Sequence, residues 1–79
     1  MATIQVLYFA ALREHRGLDA EHIQVEDGAT LAEIYAQVFA DSPLVDLPVA
    51  FARNRSYARP TDGVADGDVV TFLPPLGGG

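Results

Sequence analysis

The sequence predicts a small α+β domain in which one principal helix lies across a mixed sheet, and three observations carry that expectation. Apolar residues recur at Leu31, Ile34, Tyr35, Val38 and Phe39, the i, i+3, i+4, i+7, i+8 spacing of one amphipathic helix. β-Branched and aromatic runs at residues 3–9 and 69–73 have strand character at the two ends of the chain. Between them the order reads strand, strand, helix, strand, short strand, strand, which gives one helix one sheet to cover.

Taken in order, residues 3–9 form the first strand, with Ile4, Val6 and Tyr8 on one face and Gln5, Leu7 and Phe9 on the other. The second face starts polar and ends apolar, so the strand is expected near the sheet centre with its far end covered by something else. Residues 10–16 suit a short helix that Gly17 stops. Residues 21–26 alternate, Ile23 and Val25 inward and His22 and Gln24 outward, and Asp27-Gly28 supplies a turn. Thr30 with Glu33 three residues on matches a capping box at the start of the main helix. Asp41-Ser42-Pro43 ends that helix, and residues 44–48 read as a connector. Residues 49–53 give a third strand, 54–56 a turn, and Tyr57-Ala58 a short fourth. Asp66-Gly67-Asp68 is a turn, and residues 69–73 are the last strand, with Val70 and Phe72 on one face and Val69, Thr71 and Leu73 on the other.

The chain ends in Leu73-Pro74-Pro75-Leu76-Gly77-Gly78-Gly79. The prolines favour an extended course and close the last strand, while three glycines in a row stay extended unless a partner grips them. Residues 76–79 are therefore expected to form a thin arm tipped by the Gly79 carboxylate. A backbone without Cβ atoms can thread a narrow channel in a second protein.

Composition limits the rest. Seventy-nine residues, 49% hydrophobic and 20% charged, make a single domain over residues 1–79 with a modest core. No apolar run approaches the ~20 residues of a membrane span, and the N-terminus lacks the features of a signal peptide, so a cytoplasmic location is expected. Eleven acidic against five basic residues, net charge −6, disfavour nucleic acid as a partner. With no cysteine, disulfides, thiolate metal sites and cysteine nucleophiles are excluded. His15 and His22 lack spaced metal ligands, Asp62, Asp66 and Asp68 lack calcium-loop spacing, and no metal site, catalytic pair or phosphate loop is visible. All five basic residues are arginines, which leaves no lysine amine on which the chain could build an isopeptide polymer of itself.

A small α+β sheet of this order with a glycine tail is the ubiquitin-like β-grasp arrangement, in which the first and last strands pair in parallel at the sheet centre. Two stretches carry a closer resemblance: Phe9-Ala10-Ala11-Leu12-Arg13-Glu14, and the string of Asn54, Tyr57, Asp66-Gly67-Asp68, Phe72-Leu73-Pro74-Pro75 and Gly78-Gly79. In their order and spacing these resemble the small subunits of molybdopterin synthase, the sulfur carriers of molybdenum cofactor synthesis. The chain departs from that family at Arg53, where an apolar residue is more usual, and at Gly77, which makes two terminal glycines three. Arg53 leaves the facing of the third strand open and is a candidate source of partner preference.

The resemblance implies a cycle. A ubiquitin-activating-like enzyme uses ATP to adenylate Gly79, a sulfur donor protein converts the adenylate to a thiocarboxylate, and the carrier docks on a large subunit, two small with two large, to deliver sulfur to a pterin precursor. The partner supplies the catalysis, so no activity is expected of the chain alone, and no cofactor is bound by it. For docking, Phe9, Leu73 and Tyr57 are candidates, with Pro74, Pro75 and Leu76 at the tail root and Arg13 as a rim contact; exposed apolar patches of this kind mark contacts. Two alternatives stay open: a carrier for thiamine thiazole synthesis, transfer-RNA thiolation or cysteine synthesis, and a β-grasp modifier or binding module with no sulfur role.

Overall fold

Two parallel strands form the middle of the structure, a computed structural model that describes residues 1–75. β1 (Ala2–Leu7) lies beside β5 (Val69–Leu73), with Val6 opposite Val70 and Leu7 opposite Thr71. β2 (Ala20–Val25) pairs antiparallel with the other edge of β1, β3 (Ala50–Arg53) pairs antiparallel with β5, and β4 (Ser56–Ala58) is a short outer strand on β3. The order is β2-β1-β5-β3-β4, so the chain's last strand sits in the middle of the sheet. Parallel neighbours cannot be joined by a tight turn, which is why everything between β1 and β5 loops around this pair.

Alternation along the strands sends one set of side chains under helix α2 (Leu31–Val38). Ile4, Val6, Tyr8, Val25, Phe51, Val70 and Phe72 are buried there with Leu31, Ile34, Tyr35 and Phe39. Phe72 is the hub, its ring centroid 5.0 Å from Tyr35, 5.7 Å from Phe51, 6.3 Å from Tyr8 and 6.4 Å from Phe39, mostly edge-on. The start of α2 is fixed by the expected capping box: the Glu33 N–H donates to Thr30 Oγ1 at 3.2 Å, and the Thr30 N–H donates to Glu33 Oε1 at 2.9 Å. Helix α1 (Ala10–Arg16) buries Leu12 and ends at Gly17, whose φ of 75° is the left-handed cap that glycine takes without strain.

Two expectations needed revision. Residues 43–46 are not plain connector but a 3-10 helix, Pro43–Asp46. Ser42 caps it by accepting the Leu44 N–H at 3.0 Å, Pro43 occupies a first-turn position where it loses no hydrogen bond, and the Tyr35 hydroxyl donates to the Leu44 carbonyl. Arg53 has a definite facing. It pairs with Val70, on the α2 side of the sheet, and its guanidinium donates to the Gly63 carbonyl, so this arginine fastens the loop before β5 instead of facing outward for a partner.

Candidate functional site at the root of the tail

The sheet face turned away from α2 carries the alternate side chains of the same strands. Leu7 from β1, Thr71 and Leu73 from β5, Ala52 from β3 and Tyr57 from β4 meet there with Phe9 and Arg55. They line two adjoining hollows. One, of about 330 Å³, is bounded by Phe9, Ala52, Arg55, Tyr57, Thr71 and Leu73. The other, of about 360 Å³, is bounded by Gln5, Leu7, Asn54, Arg55, Val69 and Thr71. Phe9 is 47% and Tyr57 85% exposed, which is uncommon for aromatic side chains in so small a domain. A third hollow of about 400 Å³, at Glu26, Asp27, Glu33 and Gln37, is polar and shares no residue with these two.

Phe9 is displayed by the turn out of β1. Its backbone is extended, φ −132° and ψ 154°, its carbonyl accepts from the Leu12 and Arg13 N–H groups at 3.1 and 3.3 Å, and Ala10 follows at a left-handed φ of 49°. The far end of α1 is tied to β2. Tyr8 donates its hydroxyl hydrogen to Glu21 Oε2 at 2.6 Å, Arg16 donates to the same oxygen through Nε at 3.0 Å and through Nη2, and the guanidinium lies 5.7 Å over the Tyr8 ring. Burial, and then the Glu21 carboxylate, push the Tyr8 phenol far above its ordinary value, so it stays a donor. Burial opposes ionisation of Glu21, but the bonds from Tyr8 and Arg16 outweigh it and hold the carboxyl below its ordinary value. Arg13 projects from α1, 3.7 Å from the Asp19 carboxylate, and lines neither hollow.

On the other flank a two-residue hairpin loop, Asn54-Arg55, joins β3 to β4, with φ of 52° and 72°. Two successive left-handed residues define a type I′ turn, the connection whose twist matches paired strands. Asn54 also latches the hairpin to β5: its amide group donates to Asp68 Oδ1 at 3.0 Å, its carbonyl oxygen accepts the Val69 N–H at 2.8 Å, and its backbone N–H reaches the Val69 carbonyl at 2.8 Å. Asp68 accepts the Ala65 N–H as well, and Asp66 accepts the Thr3 N–H at 2.7 Å across to β1. The Ala65 N–H and then the Asn54 amide hold the Asp68 carboxyl below its ordinary value. The Asn54 and Asp66-Gly67-Asp68 signature is thus a clamp that seats β5.

Of the residues expected to form the site, Phe9, Tyr57 and Leu73 come together on one face. Pro74 follows half-buried and Pro75 exposed, while Leu76, Gly77, Gly78 and Gly79 lie outside the described residues. Arg55, Ala52, Leu7 and Thr71 complete the face and were missed. For Arg55 a signal existed: Asn-Arg stands where a two-residue hairpin most often has Asn-Gly. Among the described residues no three His, Cys, Asp or Glu side chains gather as metal ligands, and no helix is long and apolar enough to cross a membrane.

Comparison with known proteins agrees with this geometry. The chain is 42% identical to the molybdopterin synthase sulfur carrier subunit of Chlamydomonas reinhardtii, over 96% of this chain and 98% of that protein. A Pyrococcus furiosus protein assigned as subunit 1 of a molybdopterin converting factor has the same fold, with a TM-score of 0.83 at 25% identity over 96% of this chain and 100% of that one. A structure of subunits 1 and 2 of the Helicobacter pylori molybdopterin-converting factor in complex matches with a TM-score of 0.63 at 26% identity, covering 98% of this chain and 99% of that one. The profile of the ThiS family matches residues 6–79, and the chain belongs to that family.

Proposed function

We propose that this chain is the sulfur-carrier subunit of a molybdopterin synthase, with the carboxylate of Gly79 as the group that carries sulfur. The observation that carries this reading is the exposed apolar face at Phe9, Tyr57 and Leu73, set at the root of a glycine tail on a domain that has no cysteine. Such a body offers a place to dock and an arm to insert, and leaves catalysis to others. The near full-length relationship to a carrier subunit supports the choice of pathway.

The chemistry follows from the functional groups. A carboxylate is a poor electrophile, so an activating enzyme attaches AMP from ATP to the Gly79 carboxyl oxygen with release of pyrophosphate, and attack on the acyl carbon by hydrosulfide delivered by the donor protein expels AMP and leaves sulfur in place of that oxygen. The resulting thiocarboxylate is a sulfur nucleophile at neutral pH without any thiol side chain. The partner that consumes it is the large subunit of the synthase, in an assembly of two small and two large subunits in the cytoplasm. The Helicobacter pylori complex of subunits 1 and 2, with a small subunit of the same fold, supports such a partner.

Alkylation tests the proposal. The purified protein has no thiol and does not react with a mild thiol alkylating agent at neutral pH. After incubation with its activating enzyme, ATP and a sulfur source it takes up one alkyl group, located at Gly79 by fragmentation. Mass alone does not decide, since exchange of oxygen for sulfur adds nearly the same mass as oxidation of Met1, but a sulfoxide does not alkylate. Protein that is shown to be adenylated and still takes up no label overturns the sulfur-carrier function in favour of a modifier or binding module.

A further inference from the structure

The five arginines are not equivalent. Arg13 pairs with Asp19 and Arg59 with Asp62, each at 3.7 Å, Arg16 is bound to Glu21, and Arg53 is spent on the Gly63 carbonyl. Among the described residues, the Arg55 guanidinium makes no ion pair or hydrogen bond. It is also the arginine that lines both hollows of the open face, flanked by Phe9, Tyr57 and Leu73. Its backbone is left-handed, φ 72°, at a turn position that glycine fills without cost and a long side chain does not. The turn cannot relax easily, because Asn54 beside it is latched to Asp68 and Val69. On a strained backbone position held by Asn54, a cation with no partner among the described residues therefore lines the apolar face of a chain whose net charge is −6.

We propose that Arg55 is a specificity-determining residue of the docking face, receiving a carboxylate of the large subunit; this deepens the docking proposed above and rests on it. An apolar partner surface closing over Phe9, Tyr57 and Leu73 strips water from the guanidinium between them. A desolvated charge without a partner is costly, whereas a carboxylate meets the planar fork with two parallel hydrogen bonds. The same cation that favours an acidic partner rejects an apolar or basic surface of equal shape. Lysine is a poor replacement, since a point charge does not reproduce the fork.

The test is calorimetric titration of the purified large subunit from the same genome with the wild-type chain and with Arg55→Gln, Arg55→Glu, Arg55→Lys, Arg59→Glu and Tyr57→Ala. Circular dichroism confirms that each is folded. Arg55→Gln is expected to weaken binding by ~30-fold or more, Arg55→Glu further and Arg55→Lys less, while Arg59→Glu, outside the face, stays within about 2-fold of wild type. If Arg55→Glu binds as wild type does while Tyr57→Ala is weakened, the face docks without the cation and the inference is overturned. Equal losses from Arg55→Glu and Arg59→Glu overturn it too, since they report only the general field. A wild-type chain that does not bind the large subunit at all instead overturns the docking reading itself.

Discussion

At Arg55 the backbone requires a residue that tolerates positive φ, and the sequence supplies one that does not. Replacing it with glycine removes a left-handed penalty of roughly 1–2 kcal/mol and gives back about 0.4–1 kcal/mol through the freer unfolded chain. Arg55→Gly is therefore expected to keep or raise the thermal midpoint, by up to roughly 10 °C, while weakening docking, a contrast that calorimetry and titration can read on one protein. Phe9 and Leu73 make a complementary case. Phe9→Arg or Leu73→Arg places a charge on the open face, so docking should fall at least ~10-fold with the circular dichroism spectrum unchanged; an unfolded variant would show that the side chain belonged to the core. Alternation made these two legible in the sequence: Leu73 lies within β5, and although β1 ends at Leu7, two residues short of the strand expected, the extended backbone at Phe9 keeps the same period of two. For Arg55 the sequence held only the unusual Asn-Arg pair at a hairpin position, while its left-handed backbone and its place on the open face exist only in the fold. The facing of Arg53 was not legible, since its partner is a loop carbonyl ten residues away.

Among the elements, α2 was the easiest to read, because its apolar stripe and its capping box state the same start independently. Thr30→Ala removes one side of that box and should cost about 1 kcal/mol, a fall of roughly 4–8 °C in thermal midpoint. The 3-10 helix at Pro43–Asp46 was hidden because its stability comes from Ser42 and the distant Tyr35 hydroxyl and from no periodicity of its own. Helix α1 depends on the Tyr8–Glu21–Arg16 cluster, which crosses to β2 and leaves no local signal. That cluster gives a pH dependence whose sign follows from Glu21. Its carboxyl is held below the ordinary value of 4.5 in the fold, so the stability it contributes is present above about pH 4.5 and is lost as pH falls through the depressed folded value. Glu33 and Asp68 are depressed in the same sense and add to the acid limb. Glu21→Gln should lower the urea midpoint at pH 7 and flatten, without abolishing, its decline toward pH 3. An equally steep decline in the variant would place the acid sensitivity elsewhere.

Over the whole molecule, topology separates what stabilises the domain from what it delivers. Among the described residues the buried core runs from Ala2 to Phe72, one residue before β5 ends, and β5 lies in the middle of the sheet. The β-grasp order could be read in the sequence because the most apolar runs lie at the two ends of the chain, and a parallel central pair buries both. Residues 76–79 lie outside the described residues, and their glycine composition alone is the ground for proposing an arm that threads a partner. Deleting Gly79, or replacing Gly78 with valine, removes no residue of that core. Both variants should therefore keep the wild-type thermal midpoint within ~1 °C and still titrate the large subunit through Phe9, Arg55, Tyr57 and Leu73. Dithiolene formation in a reconstituted synthase should nevertheless be lost, through the missing carboxylate in one case and through a Cβ-branched side chain in a channel shaped for glycine in the other. Docking without turnover would show that the face and the arm are separate devices on one scaffold. A truncated chain that supported dithiolene formation at the normal rate would exclude Gly79 as the carrier.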